Sequence, residues 1–149
     1  MERRWRRLAR SLGLSDCVTF HGRPPDADVP RWFAGADLYC SPALGGETLG
    51  IVLLEAMACG APTIASRIPG YDETIRDGTD GLLFTPGNAA ALADTAASVL
   101  LDAGLSARLR AAGPTRAAGY AWPRVCAQTL ELYQELLAAR SSSSTSILN

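Results

Sequence analysis

The sequence predicts an α/β fold built on a parallel sheet with helices on both faces. Two observations carry this. Short β-prone runs alternate with helical ones, and the chain breaks or turns at Gly and Pro between the runs. With 149 residues, 48% hydrophobic and 19% charged, the chain has the size and apolar content of one ordinary domain with a core.

The elements follow in order. Residues 2–13 read as a helix, with Trp5, Leu8, Ala9 and Leu12 on one face, arginines on the rest, and Gly13 as its stop. That apolar face suits packing on a sheet; its arginines also suit an anionic membrane surface. Cys17–Phe20 reads as a first strand ending at Gly22, and Val29–Ala34 as a short helix. Asp37–Cys40 is the next strand, stopped by Pro42 and followed by the glycine loop Gly45-Gly46. Gly50–Ala58 is a helix closed by Gly60 and Pro62. Thr63–Ala65 and Leu82–Phe84 are strands, separated by a short helix around Asp72–Ile75 and the turns Asp77-Gly78 and Asp80-Gly81. Helices are expected at 88–101, 104–112 and 123–139. The domain is set at 1–140, and 141–149, rich in serine, reads as a disordered tail.

Composition excludes several functions. The net charge is 14 − 15 = −1, so nothing global points to nucleic acid as a partner. The chain has no Lys, which removes phosphate-loop and Schiff-base lysine chemistry. Cys17, Cys40, Cys59 and Cys126 lack metal-binding spacing and read as reduced thiols of a cytoplasmic protein. No run is long enough to span a bilayer, and no signal peptide is visible.

Chemistry concentrates in Gly45–Gly60. The helix Ile51–Met57 is apolar on all sides except Glu55, which implies a buried carboxylate needing a cation, donors or a ligand. Glu47 lies eight residues earlier, so the two carboxylates are at most ~12 Å apart along the axis. That is too far for a close catalytic pair but suits the two ends of one elongated ligand. Between them, the amides of Thr48, Leu49 and Gly50 stand at a helix N-terminus, where the free N–H groups and the dipole favour phosphate. Gly45, Gly46 and Gly50 let a ligand approach the backbone. Sugar carboxylate, phosphate amides and ribose carboxylate follow one another in the order of a nucleotide diphosphate sugar. The alternative is that Glu47 only complements the helix dipole and Glu55 pairs with an arginine such as Arg67. His21, the single histidine, is assigned a loop hydrogen bond rather than general-base work. Trp5, Trp32 and Trp122 are assigned to packing. Glu73 either touches the donor sugar region or starts a helix.

These residues resemble the donor-site motif of the GT-B retaining glycosyltransferases of family four, the glycosyl transferases group one. Glu47 and Glu55 fit its two glutamates separated by seven residues. Val18–Arg23, Asp37-Leu38-Tyr39, Ala56–Pro62, Gly70–Glu73, Gly81-Leu82-Leu83 and Tyr120-Ala121-Trp122 are similar to its neighbouring motifs, and the resemblance covers about residues 3–138. It implies an incomplete Rossmann-like parallel sheet, part of the C-terminal domain of a GT-B fold. It implies a hexosyltransferase that moves a sugar from a GDP- or UDP-linked donor to an acceptor with retention. Glu55 would hold the ribose, Glu47 the donor sugar, and Gly46, Thr48, Leu49 and Gly50 the diphosphate, while Gly22 and Arg23 would border the base. No residue of this half need act as a base, and neither metal nor cofactor is expected beyond the donor. Cys40-Ser41-Pro42 with Gly45–Thr48 is similar to actinobacterial phosphatidylinositol mannosyltransferases, which use GDP-mannose.

The family also implies what the chain lacks: the acceptor-binding N-terminal domain and the opening strand of the donor domain, with its Gly-Arg loop and the Lys beyond it. The expectation is a truncated, inactive half with a missing partner domain. It would expose a sheet edge and the apolar side of the last helix (Leu130, Tyr133, Leu137), and associate through either. It would sit in the cytoplasm or at the inner face of the membrane. The alternative function is a non-catalytic nucleotide-binding or interaction module.

Overall fold

The computed structural model describes residues 2–145. Its elements are α1 (Glu2–Ser11), α2 (Val29–Ala34), β1 (Tyr39–Ser41), α3 (Ile51–Ala58), β2 (Thr63–Ser66), α4 (Tyr71–Thr74), β3 (Leu82–Phe84), α5 (Ala89–Leu101), α6 (Ala103–Ala118) and α7 (Trp122–Thr145). The strands form one parallel sheet in the order β1-β2-β3, with Cys40 opposite Ile64 and Ala65 opposite Leu83. The α/β architecture is the expected one.

The central strand explains the layering. Alternate side chains of a strand leave by opposite faces. Ala65 enters the core with Leu53, Leu54 and Met57 of α3 and Ile68, Tyr71 and Ile75 around α4. Ile64 enters the other core with Phe84, Val99 of α5 and Leu109 of α6. All four residues of β2 are buried. Each fully buried aliphatic chain here, such as Leu53 or Met57, contributes about 1.5–3 kcal/mol.

Caps set the helix boundaries. Asn88 and Asp102 accept from the amides of Ala91 and Leu105 at 3.0 and 2.9 Å, opening α5 and α6. At the C-terminal end of α3, Arg110 donates to the Gly60 carbonyl at 3.0 Å and to Ala36 at 3.1 Å. This puts a cation where the helix dipole favours one.

Four expectations need correction. Cys17–Phe20 is not a strand: it forms no ladder with β1, and a strand gains its stability from a neighbour's hydrogen bonds. The Cys17 and Val18 amides instead turn back to the Leu14 carbonyl, both at 3.1 Å, and the Arg6 guanidinium lies 4.8 Å from the Phe20 ring centre. The apolar face of α1 is not covered by the sheet; Trp5, Leu8 and Leu12 are 47%, 45% and 61% exposed. The helix α3 is not buried all round, because Ile51, Glu55 and Ala58 form one exposed stripe at helical spacing. Finally, α6 does not stop at residue 112 but runs through Pro114 to Ala118. Gly113 there lies flush on α3, with space for a Cβ only 3.1 Å from the Met57 carbonyl oxygen, so packing against α3 overrides the break that Gly-Pro signals.

The last helix, α7, carries Leu130, Tyr133, Leu136 and Leu137, all exposed, as the sequence implied. It continues into the serine-rich stretch as far as Thr145; the rest of that expected tail, 146–149, lies outside the described residues. Among the described residues, no single helix is long and apolar enough to cross a membrane.

Candidate functional site

In an open α/β sheet, ligands bind beyond the carboxyl ends of the strands. Here that edge is formed by the loop from Pro42 to Gly50 after β1 and the turn from Arg67 to Gly70 after β2. The two are wedged together. Gly50 caps α3 in the left-handed region (φ 66°, ψ 54°) and lies against the Tyr71 ring; an added Cβ would come within 2.5 Å of Tyr71 Cε1. Gly70, at φ 90°, lies against the Thr48 peptide, where a Cβ would stand 1.7 Å from the carbonyl oxygen. The Thr74 hydroxyl donates to the Leu49 carbonyl. Tyr71 reaches under the loop, its hydroxyl 2.8 Å from Ser41 Oγ.

The loop is therefore fixed from below while its upper side is open. Glu47 and Thr48 are exposed, and Gly46 also faces solvent at φ 79°. Among the described residues, the amides of Thr48, Leu49 and Gly50 donate no hydrogen bond within the chain. Thus the N-terminus of α3 has three adjacent unpaired amides, that of Thr48 on an exposed residue and those of Leu49 and Gly50 progressively more covered, at the positive end of a helix dipole, an arrangement suited to an anion.

Glu55 stands one turn further along α3, on the exposed stripe. The expectation of a buried carboxylate in need of a partner is corrected: Glu55 is exposed, on the side of α3 that faces a cleft rather than the core. Arg67 does not pair with it either, since its guanidinium is joined to Asp77. Glu55 borders an open, mainly apolar cleft of about 620 Å³, whose walls include Leu49 and Ile51 on one side and Pro114, Tyr120 and Trp122 on the other. Close by, the Tyr39 phenol is pushed up to about 12, first by burial, then by Tyr71, with Cys40 and Glu55 adding smaller effects and Ser41 opposing them. Burial also pushes the Cys40 thiol up.

Gly22 and Arg23 lie elsewhere in the chain, in the exposed loop before α2, with Gly22 at φ 66°. The Arg23 guanidinium is 3.6 Å from Asp26, and no hydrogen bond or ion pair among the described residues joins this loop to Glu47 or Glu55. His21 is not held by the expected loop hydrogen bond; its ring packs on Trp32 with centroids 4.3 Å apart. Trp32 and Trp122 are 50% and 76% exposed, so neither packs in the core; Trp32 stacks with His21 and Trp122 borders the cleft. Glu73 opens α4, and its backbone carbonyl accepts from Arg116 at 2.6 Å and from Tyr120 at 3.2 Å. Among the described residues, no three His, Cys, Asp or Glu side chains gather where they could hold a metal ion.

One cluster escaped the sequence reading. Asp80 looks like a turn residue in Asp80-Gly81, but its side chain is fully buried. It accepts from the Arg76 amide at 2.8 Å and the Arg76 guanidinium at 2.6 Å, with Arg116 3.9 Å away. Arg116 also donates to the Thr74 carbonyl at 2.8 Å. These bonds fasten α4, and with it the floor of the site, to α6. Only the pairing of a turn Asp with an Arg four residues earlier hinted at this.

A parallel sheet with a glycine loop and an open helix N-terminus at its carboxyl edge is a Rossmann-like arrangement, and solved glycosyltransferases of the GT-B fold share it. The chain belongs to the glycosyl transferases group 1 family, which it matches over residues 1–116. It is 38% identical over 129 residues to a phosphatidyl-myo-inositol mannosyltransferase of Mycobacterium leprae, an alignment covering 87% of this chain and 34% of that protein. Its fold matches sucrose-phosphate synthase from Thermosynechococcus elongatus with a TM-score of 0.82 and 33% identity, over 92% of this chain and 34% of that one. It also matches Anabaena HepE in complex with UDP, with a TM-score of 0.75 and 28% identity, over 94% of this chain and 36% of that one. The chain thus spans about a third of the length of the relatives it matches.

Proposed function

We propose that this chain is the donor-binding part of a retaining hexosyltransferase that uses a GDP- or UDP-linked sugar. The observation that carries this is the placement of two exposed carboxylates, Glu47 and Glu55, on either side of three unengaged amides at the N-terminus of α3. In this reading the amides of Thr48, Leu49 and Gly50 bind the diphosphate, whose charge the helix dipole favours. Gly46 leaves room for the phosphates to approach the backbone. Glu47 accepts from hydroxyls of the sugar, and Glu55 from the ribose diol. Gly22 and Arg23 border the base.

Transfer with retention needs no protein base in this half: the leaving diphosphate receives the acceptor's proton as the new glycosidic bond forms on the same face. What this half must supply is stabilisation of the leaving charge, and the amides supply part of it. The arginines flanking the site sequence are engaged elsewhere, Arg23 with Asp26 and Arg67 with Asp77. In this reading further cations belong to the opening strand of the donor domain, and the acceptor site to a partner domain. The donor is then the only small molecule required, with neither metal nor cofactor. The relatedness to a phosphatidyl-myo-inositol mannosyltransferase favours GDP, and the likeness to a UDP complex favours UDP. The absence of any disulfide among the four cysteines suits a cytoplasmic setting. A non-catalytic interaction module is the second reading, favoured by the uncovered apolar side chains of α7.

Calorimetric titration with GDP, UDP and ADP tests the proposal, with Glu55→Ala as control. Saturable binding of one nucleotide, weakened at least ~10-fold in the variant, is the expected result. Binding of none, or equal binding by the variant, overturns it.

A further inference from the structure

We infer that Thr74 is a positioning residue for the diphosphate, acting through the peptide groups of the loop rather than by touching the ligand. The inference rests on the donor-site reading above and deepens it. In a trans peptide the C=O of one residue and the N–H of the next point in opposite directions. Whatever holds a carbonyl down therefore turns the following amide up. The Thr48 carbonyl oxygen faces Gly70, as does that of Glu47, with positions 1.7 and 3.3 Å from where a Gly70 Cβ would stand. The Leu49 carbonyl accepts the Thr74 hydroxyl. Three consecutive carbonyls thus face α4 and the turn before it. The amides they share peptide planes with, those of Thr48, Leu49 and Gly50, face the open side.

Among the described residues, Thr74 is the one side chain that hydrogen-bonds to these carbonyls. Its hydroxyl lies within hydrogen-bond reach of two acceptors, the Leu49 carbonyl and the Gly70 carbonyl at 3.0 Å, and so ties the Leu49 peptide to the first turn of α4. Without that bond, among the described residues only the packing of Tyr71 and Leu53 against Gly50 holds the Leu49–Gly50 peptide plane. A peptide free to rotate aims the Gly50 amide away from the phosphates for part of the time, and the affinity falls by the fraction of correctly oriented loop. Thr74 is itself held from behind, because its own carbonyl accepts from Arg116 at 2.8 Å.

The test compares Thr74→Val, which keeps the shape and removes the donor, with Thr74→Ser, which keeps the donor. Each is titrated with the nucleoside diphosphate that the wild-type chain binds and with the matching nucleoside. Thr74→Val is expected to lose ~10-fold or more in affinity for the diphosphate and none for the nucleoside, and Thr74→Ser to bind like wild type. Equal affinity of Thr74→Val and wild type overturns the inference and leaves the donor-site reading standing. So does a loss that is the same for nucleoside and diphosphate, which is what a merely structural threonine would give. Failure of the wild type to bind any nucleotide overturns both. If Thr74→Val does not fold, Thr74→Ala takes its place in the same two titrations: a loss for the diphosphate alone supports the inference, and no loss, or an equal loss for both, overturns it.

Discussion

Replacing Gly70 with alanine attacks the wedge under the candidate site. Two costs add. At φ 90° an L-residue sits in a left-handed conformation, which costs roughly 1–2 kcal/mol. The new Cβ would also stand 1.7 Å from the Thr48 carbonyl oxygen, where contacts under 3.0 Å do not occur, so the Thr48 peptide must retreat by about 1.3 Å. That retreat breaks the Thr74 to Leu49 hydrogen bond, worth about 1 kcal/mol, and lifts Gly50 from the Tyr71 ring. The total is about 3 kcal/mol. At roughly 2–4 °C per kcal/mol for a chain of this size, the midpoint of thermal unfolding should drop about 6–12 °C. Gly78→Ala is the control: Gly78 has a similar φ of 76° but nothing within 4 Å of an added Cβ, so only the strain is present. Thermal or urea unfolding of the two variants, followed by circular dichroism, measures the difference. If Gly70→Ala costs no more than Gly78→Ala, the close approach is not a constraint and the argument for a fixed loop fails.

Two other perturbations probe the surroundings of the site. The Tyr39 phenol, pushed up to about 12 by burial, keeps its proton in the folded chain while the unfolded chain loses it near pH 10. Stability from this group is therefore full below about pH 10 and falls as the pH rises towards 12. Tyr39→Phe should flatten that part of a stability–pH curve, and an unchanged slope would refute the assignment. Asp80→Asn keeps the shape but removes the charge facing Arg76 and Arg116; a loss of about 1–3 kcal/mol in urea unfolding is expected, and a neutral effect would show that the cluster does not fasten α4.

Local patterning was enough for the alternation of strands and helices and the three strand positions, and the resemblance of the chain's motifs for the family; the stretch that carries them also holds the candidate site. β2 and β3 are apolar runs between Gly and Pro stops, and Gly45–Gly60 carries its loop, helix start and two glutamates within sixteen consecutive residues. Such features depend on neighbours along the chain, so the sequence holds them in plain view. Tertiary structure decided the rest. Cys17–Phe20 has β-prone residues, yet a strand exists only beside a partner, and none pairs with it. Glu55 is apolar-flanked in sequence but exposed in space, because burial depends on which side of α3 is covered by other elements. Asp80 shows the reverse, a turn residue by composition and a buried carboxylate by position. The anchoring of the loop by Gly70, Tyr71 and Thr74 is likewise invisible along the chain. These residues lie more than twenty positions from the peptides they hold, and only the return of the chain through β2 brings the two together.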